Sequence, residues 1–280
     1  MIDRLYMDDI ILNALKEDMP MGDITTDNTV VSSAQAQAIL LARQDAVIAG
    51  LDVFERVFEL LDGSVRFKRN IQDGGRVTNG DIFLEFEGNA AALLKGERTA
   101  LNFLQHMSGI ATKTAEFCSR VKGLPVKVTD TRKTVPGLRY LAKYAVRAGG
   151  GHNHRMCLSD GVLIKDNHIK AAGGIINAIR LVRDRIPHTV KIEVETESLE
   201  QVREALQGGA DIIMLDNMDL SAMSEAVKLI NGKALTEASG DVHLDTVYDV
   251  ARTGVDIVSA GELTHTVKAV NISMEFVNSL

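Results

Sequence analysis

Six short apolar runs in the second half of the chain constrain its fold more than any other feature. They are rich in valine and isoleucine, and amphipathic segments separate them at intervals of roughly 20 to 35 residues, the spacing of β/α units with a parallel sheet. Six runs are fewer than the eight of a closed barrel, so they predict an incomplete barrel. The runs are PVKVTD, GVLIKD, VKIEVE, DIIMLD, KALTEAS and DIVSAG, beginning at residues 125, 161, 190, 211, 233 and 256.

The first part of the chain predicts a different, β-rich architecture. Residues 4–18 predict a helix, because apolar side chains recur there at roughly helical spacing: Leu5, Ile10 or Ile11, Leu12, Leu15 and Met19. QAQAILLARQDAVIAG and VRFKRNIQDGGRVTNGDIFLEFEG indicate strands with Gly-Gly and Asn-Gly turns, and a long helix is predicted from residue 96 to about 121. The closing AVNISMEFV alternates apolar and polar residues, which predicts a last strand that could return to this front section.

Composition excludes several classes of protein. With 45% hydrophobic and 25% charged residues over 280 positions, the chain can bury a globular core. No apolar run approaches the ~20 residues of a membrane span, and the first residues do not resemble a secretory signal. Cys118 and Cys157 are too few for a disulfide framework. We therefore expect a cytoplasmic protein in a reducing compartment.

One cationic segment is embedded in an acidic chain. The formal net charge is -7, yet residues 127–170 contain nine Lys and Arg against three Asp, a local balance of +6. The chain has no Trp and only four Tyr, which is unlike a general nucleic-acid surface. A focused positive segment favours a pocket for a small anion.

Most of these cations lie in DTRKTVPGLRYLAKYAVRAGGGHNHRM, residues 130–156. Arg132 and Lys133 follow the first apolar run, at the end of a predicted strand, where Arg offers a planar fork for a carboxylate and Lys a point charge for phosphate. Arg139, Lys143 and Arg147 recur at four-residue intervals, which is typical of a solvated helix face.

Two histidines and an arginine follow the glycine triplet at 149–151. A zinc site at His152 and His154 is conceivable, but two imidazoles two residues apart without a nearby third ligand make a poor ligand set. Anion recognition by His154 and Arg155 fits better. Further on, Lys165 could form a Schiff base, bind an anionic substrate or pair with Asp166, and these three roles stay open.

Carboxylates at two later strand ends predict a metal site. Glu193 and Glu195 alternate with apolar residues and so point to the same side of a strand, where paired carboxylates are costly without a cation. Glu195 and Asp216 are therefore candidates to hold Mg²⁺ together with substrate phosphates. Ser239, Gly240 and Gly261 each follow a strand, where backbone N–H groups can cradle phosphate.

Long motifs in the same order make the chain similar to the nicotinate-nucleotide pyrophosphorylase (carboxylating) family, also called quinolinate phosphoribosyltransferases. The resemblance covers nearly the whole chain. The motifs are ALKEDMPMGDITT, GERTALNFLQHMSGIAT, DTRKTVPGLR, KYAVRAGGGHNHRM, VLIKDNHI, KIEVETESLEQVREAL, GADIIMLDN, EASG and GVDIVSAGELTH.

The resemblance implies an α/β fold and a reaction. Residues 1–110 plus 268–280 would form an open α/β sandwich, and 111–267 a six-strand incomplete parallel β/α barrel. The enzyme would be a pentosyltransferase that joins quinolinate to 5-phosphoribosyl 1-pyrophosphate with Mg²⁺, giving nicotinate mononucleotide, pyrophosphate and CO₂ for NAD biosynthesis. It would be a homodimer or a hexamer formed as a trimer of dimers, without nucleic-acid or membrane partners.

The resemblance also implies a role for each site residue. Arg132, His154, Arg155 and Lys165 would hold the two quinolinate carboxylates, and Arg98 would reach the site of a neighbouring subunit. Lys133, Glu195 and Asp216 would bind the phosphoribosyl donor and its metal, and Ser239, Gly240 and Gly261 would bind its phosphates. The catalytic residues would be Lys133, Lys165, Glu195 and Asp216. Asp241 departs from the family pattern, since many members have a second glycine there. An added carboxylate should repel phosphate unless its side chain turns outward.

Three other functions fit parts of this pattern. A phosphoribosyltransferase for nicotinate or the molybdenum-linked relative of the family would share the barrel, but Arg132, Arg155 and Lys165 together favour a diacid. A non-catalytic phosphate-binding barrel would keep the phosphate loops but would need neither the Glu195 and Asp216 pair nor Arg98.

Overall fold

The computed structural model describes residues 3–279, with side-chain environments up to 277. Contacts divide the chain into two compact units. The first comprises Met1–Ala115, Val135–Gly150 and Val267–Leu280, and the second comprises Glu116–Thr134 and Gly151–Thr266. Within the described residues, none of the helices combines the length and the apolar character that crossing a membrane requires.

An antiparallel sheet forms the centre of the first unit. Its order is β12-β1-β5-β3, with strands β1 (Gln35–Ala42), β3 (Arg66–Arg69), β5 (Ile82–Asn89) and β12 (Ile272–Ser279); β2 (Ala46–Val47) and β4 (Arg76–Val77) form a separate pair. Because β12 pairs with β1, the predicted return of the last strand to the front section is confirmed. Ile272 and Met274 are buried as expected, whereas Phe276 is exposed.

The helices of the first unit include one, α3, that packs on this sheet through aromatic side chains. They are α1 (Arg4–Asp18), α2 (Thr26–Thr29), α3 (Leu51–Leu61), the first part of α4 (Ala90–Arg120) and α5 (Arg139–Ala148). Phe54 and Phe58 on α3 contact Phe86 on β5, with ring centroids 5.6 and 5.4 Å apart. Large apolar side chains such as these supply the strongest drive for burial.

The face that α1 buries matches the predicted apolar residues only in part. Ile11 and Leu15 are buried as predicted and Met7 joins them at four-residue spacing, whereas Leu5 and Leu12 are exposed, so the prediction for these two leucines was wrong. More than one set of apolar residues in this segment fits a helical period, and only tertiary packing decides which set is buried.

Residues 135–150, which the sequence placed within the barrel segment 111–267, belong to the first unit by their contacts. The Tyr144 hydroxyl donates to Asp73 at 2.6 Å, and a Cβ at Gly149 would overlap the carbonyl oxygen of Ala111. Lys143 is buried in this packing, so its interpretation as part of a solvated face was wrong, although Arg147 is exposed. Sequence spacing alone does not reveal such long-range contacts.

The second unit contains a six-stranded parallel sheet, which confirms the predicted incomplete barrel. The order is β6-β11-β10-β9-β8-β7, and the runs picked from the sequence supply all six strands. They are β6 (Lys127–Thr129), β7 (Val162–Ile164), β8 (Ile192–Thr196), β9 (Ile212–Asp216), β10 (Leu235–Ser239) and β11 (Ile257–Ser259). In the described part β6 and β7 form the two edges, and Thr129 makes an isolated bridge to His152.

Helices follow these strands as β/α units require. They are α6 (Asp166–Ala172), α7 (Ile175–Arg183), α8 (Leu199–Gly208), α9 (Leu220–Ile230), α10 (Val247–Arg252) and α11 (Glu262–His265). Ser198 and Asp219 cap α8 and α9 by accepting backbone hydrogen bonds, which fixes where each helix begins. Because the strands are parallel, all their carboxyl ends meet on one side of the sheet.

Candidate active site

A cavity of about 860 Å³ opens at the carboxyl ends of the parallel strands, within the second unit. Ten of the eleven site residues predicted from the sequence line it: Arg132, Lys133, His154, Arg155, Lys165, Glu195, Asp216, Ser239, Gly240 and Gly261. The eleventh, Arg98, is exposed on α4 in the first unit and does not line this cavity. Strand direction brings eight of the ten together, because they lie at or just after the carboxyl ends of strands of one parallel sheet. His154 and Arg155 lie between α5 and β7 and reach the same edge through the bridge of His152 to Thr129.

Two guanidinium groups present donors that the protein does not use. The Nε atoms of Arg132 and Arg155 are buried and have no hydrogen-bond partner among the described residues. One terminal nitrogen of Arg155 donates to the Gly161 carbonyl at 2.8 Å, which fixes the side chain. Burial, and then the charge of Arg132, lowers the pKa of Arg155. An anion bound between the two would supply the missing acceptors and offset this repulsion.

Lys165 also lines the cavity and contacts an acid of the next strand. Its Nζ is 2.5 Å from Oε2 of Glu195. Asp166 pairs instead with Lys170, at 3.3 Å, so the pairing of Lys165 with Asp166 that the sequence left open is not formed. Lys165 is therefore held towards the cavity by Glu195.

The predicted metal ligands fit a hard cation. Glu195 uses one oxygen for Lys165, and Asp216 uses one for the side-chain amide of Asn217, at 2.9 Å. The second oxygen of each carboxylate is not hydrogen-bonded within the described chain. Two carboxylates beside a phosphate-binding loop match the ligand preference of Mg²⁺, which takes few protein oxygens and completes its shell with phosphates and water.

A buried acid cluster that the sequence did not predict as a site forms part of the cavity wall. His154 Nε2 is 2.9 Å from Glu193 Oε2 and 3.6 Å from Glu237 Oε1. These three ligand atoms lie within 4.8 Å of one another, and the cluster does not include His152, so the zinc site considered for the two histidines is not formed. Burial, and then the charge of Glu193, raises the pKa of Glu237 to about 7.

His154 is engaged at both ring nitrogens. Nδ1 accepts the backbone N–H of Arg155 at 2.8 Å, which leaves the hydrogen on Nε2, facing Glu193. Its own backbone N–H donates to Asp130 at 3.0 Å, and the Asn153 amide donates to the same carboxylate. This network fixes the backbone from which Arg155 projects.

The loops after β10 and β11 form the phosphate side of the cavity. Gly240 has φ +95°, and a Cβ there would overlap Asn217, so only glycine suits this position. A Cβ at Gly261 would meet Lys133 and His265. Close backbone approach of this kind leaves N–H groups accessible to phosphate oxygens.

Asp241 lines the cavity at its rim, where its carboxylate contacts an imidazole. The side chain is 87% exposed, and Oδ1 lies 2.8 Å from Nε2 of His243. The other ring nitrogen of His243 is 3.5 Å from Glu262. The repulsion expected from an extra carboxylate is thus reduced by solvent and by a neighbouring imidazole.

Several cavity residues were missed from the sequence. Glu237 lies inside the predicted strand KALTEAS, and a carboxylate within an apolar strand run could have indicated it, as it did for Glu193. His243 and His265 lie in loop and short-helix positions with no periodic signal, and only the fold places them at the cavity.

Known proteins resemble the chain over nearly its full length. Residues 23–108 match the quinolinate phosphoribosyl transferase N-terminal domain, and residues 110–275 match the C-terminal domain of the same family. A "probable nicotinate-nucleotide pyrophosphorylase [carboxylating]" of Bacillus subtilis is 42% identical, over 98% of this chain and 94% of its own. A mitochondrial "quinolinate phosphoribosyltransferase [decarboxylating] 2" of Nicotiana glauca is 43% identical over 94% of this chain and 80% of its own. The solved structure of NadC from Streptococcus pyogenes has a TM-score of 0.95 at 43% identity, covering 99% of both chains.

Proposed function

The chain belongs to the quinolinate phosphoribosyltransferase family, and from this membership we infer its reaction. It transfers the phosphoribosyl group of 5-phosphoribosyl 1-pyrophosphate to quinolinate and releases CO₂, which gives nicotinate mononucleotide and pyrophosphate for NAD biosynthesis. It is therefore a pentosyltransferase.

The observation that carries this function is the pair of buried guanidinium donors without partners. Arg132 and Arg155 offer two Nε–H groups to an anion, and Lys165 adds a third cation to the lining of the same cavity. Quinolinate has two adjacent carboxylates, whereas nicotinate has one, so a diacid satisfies these donors more completely. This charge count favours quinolinate over nicotinate.

We propose roles for the chain's own residues in the transfer. Arg132, Arg155 and Lys165 bind the carboxylates and align the ring nitrogen with the ribose C1. Lys133 stabilises the charge of the departing pyrophosphate, and backbone N–H groups of Gly240 and Gly261 bind donor phosphate beside Ser239. His154, which the sequence places among the carboxylate ligands, contributes by fixing the Arg155 backbone.

We assign Mg²⁺ to Glu195 and Asp216, together with the donor phosphates. The bound ion would neutralise negative charge on the leaving pyrophosphate. The donor set supports this assignment, because each carboxylate keeps one oxygen that the protein does not use.

We further propose that the working enzyme is an oligomer in the cytoplasm. Arg98 is exposed and does not line the cavity of its own second unit, which is compatible with a role in the site of a neighbouring subunit. Both cysteines carry free thiols, as a reducing compartment allows.

Incubation of the purified protein with quinolinate, 5-phosphoribosyl 1-pyrophosphate and Mg²⁺ tests the function directly. Nicotinate mononucleotide and pyrophosphate should form, nicotinate in place of quinolinate should give little product, and chelation of the metal should stop the reaction. Arg155→Ala should abolish turnover in a folded protein, whereas the exposed Arg185→Ala serves as the control. Turnover of nicotinate in preference to quinolinate would refute the assignment.

A further inference from the structure

Two buried acids beside His154, Glu193 and Glu237, have no part in the transfer step described above. They lie on β8 and β10, on either side of β9, and are only 4% and 2% exposed. Among the described residues, neither carboxylate lies within ion-pair distance of a lysine or arginine. Both contact the imidazole of His154. Burying an ionised carboxylate without a cation or enough hydrogen-bond donors costs free energy. Two such carboxylates in one place therefore suggest a functional role.

Two carboxylate oxygens of the cluster lack a hydrogen-bond donor. The Nε2 atom of His154 contacts Glu193, and its Nδ1 accepts the Arg155 amide. Glu237 Oε1 lies 3.6 Å from Nε2, beyond hydrogen-bond range. Among the described residues, neither this atom nor Glu193 Oε1 has a hydrogen-bond partner. Two ionised carboxylates this close in a buried site would repel strongly, so the pair retains a proton.

We propose that Glu237 is the acid that protonates the pyridine ring after decarboxylation, a role that rests on the proposed function. When the C2–carboxylate bond breaks, CO₂ leaves and the electron pair stays on C2, next to the positively charged ring nitrogen. The carboxyl hydrogen of Glu237 then forms the new C2–H bond, and Glu237 becomes a carboxylate. A proton from the solvent, carried by hydronium or a buffer acid, returns Glu237 to its acid form before the next turnover, so each turnover releases one CO₂ and consumes one solvent proton.

Other cavity groups are less suited to this transfer. Arg132 and Arg155 do not release protons at neutral pH, and Lys165 is engaged by Glu195. The His154 ring hydrogen is directed at Glu193. Glu237 lines the cavity from β10, two residues before the phosphate loop, and its Oε1 makes no internal hydrogen bond. The raised pKa of Glu237 supports a neutral acid at this position.

Separate measurement of the two half-reactions tests the proposal. Pyrophosphate release reports phosphoribosyl transfer, and CO₂ from quinolinate labelled in the C2 carboxylate reports decarboxylation. Glu237→Gln preserves the shape of the neutral acid but has no acidic proton. We expect pyrophosphate release to persist, CO₂ release to fall about 100-fold, and quinolinate mononucleotide to accumulate. Glu225→Gln, an exposed change on α9, should leave both rates equal to those of the wild type.

The outcomes separate this proposal from the function on which it depends. If the wild-type protein releases no pyrophosphate with quinolinate, the function itself fails. If Glu237→Gln releases CO₂ and pyrophosphate in equal amounts, at normal or equally reduced rates, only the acid assignment fails. If circular dichroism shows that this variant is unfolded, Glu237→Asp, which withdraws the acid by one methylene, takes its place. The measurement is again the amount of CO₂ released per pyrophosphate. A lower ratio than in the wild type supports the role of Glu237, and an unchanged ratio overturns it.

Discussion

Asp241 and His243 form a pair at the rim of the phosphate loop. The effect of substituting one of them on donor binding should therefore depend on whether the other is present. His243 lies between two carboxylates, 2.8 Å from Asp241 and 3.5 Å from Glu262. His243→Ala leaves the Asp241 charge without this partner beside the donor phosphates. We therefore expect the KM for 5-phosphoribosyl 1-pyrophosphate to rise a few-fold, since an exposed pair of this kind contributes about 0.2 to 1 kcal/mol.

A double-mutant cycle isolates that interaction. Once Asp241→Gly has removed the carboxylate, His243→Ala should change the KM for the donor much less than it does alone. Equal effects of His243→Ala in the two backgrounds would mean that the imidazole acts on phosphate directly and not through Asp241.

Protonation of Glu237 should also appear in stability. The pKa of its carboxyl is raised from 4.5 to about 7 by burial and by Glu193, with Asp130 and His154 as the other ionisable neighbours. Between these values the folded state binds more protons than the unfolded state, so the free energy of unfolding falls as pH rises. Glu237→Gln should remove this fall, a difference on the order of 3 kcal/mol between pH 5 and pH 8.

Urea unfolding of both proteins at the two pH values measures the difference. The variant should gain stability relative to wild type at pH 8 and gain little at pH 5, while Glu225→Gln tracks the wild type throughout. Parallel pH profiles for wild type and Glu237→Gln would contradict a protonated Glu237.

At the scale of elements, α4 packs closely against the segment that precedes β12. The backbone N–H of Val270 donates to the Gln105 carbonyl at 3.0 Å, and the Gln105 side chain donates to the Ile272 carbonyl at 2.8 Å. One turn further along α4, a Cβ added at Gly109 would overlap the Lys268 carbonyl oxygen. Backbone atoms cannot move aside as a flexible side chain can, so this contact requires glycine.

Gly109→Ala should therefore destabilise the protein, although glycine to alanine within a helix is ordinarily stabilising by about 1 kcal/mol. We expect a loss of about 1 to 3 kcal/mol, measured by thermal or urea unfolding, because the new methyl group forces α4 and the incoming strand apart. Gly63→Ala is the matched control, since nothing lies within 4 Å of its added Cβ. An unchanged midpoint for Gly109→Ala would show that this packing is adjustable.

Periodic features of elements were predictable, whereas features that depend on neighbours were not. All six apolar runs became strands of the parallel sheet, because short valine- and isoleucine-rich segments between turns match few other structures. The buried position of Lys143 and the exposure of Leu12 depend on which element packs alongside, and no local pattern records that. In the site, strand ends were recognisable, but His243 and His265 reach the cavity from irregular segments.

At the scale of the whole chain, the order of segments does not follow the compact units. The last strand returns to the first sheet, and this was foreseen because its alternation differs from the continuous apolar runs before it. Residues 135–150 also join the first unit, although they lie between two barrel strands in sequence. The alternation of apolar and polar residues along a strand indicates whether one face or both faces are buried. The sequence of a helix between two strands does not indicate in the same way which sheet the helix will cover.

Whether each active site needs two chains can be decided by mixing two inactive variants. Arg98→Ala subunits retain the complete cavity of their second unit, and Arg155→Ala subunits lack a cavity arginine but keep Arg98. If Arg98 acts on a neighbouring subunit, a mixed dimer contains one site with both arginines. After denaturation and refolding together at equal amounts, activity should recover to about a quarter of the wild-type value for random dimers, while each variant refolded alone stays inactive. No recovery in refolded mixtures would place Arg98 in the site of its own chain, because mixed assemblies would then never combine both arginines in one site.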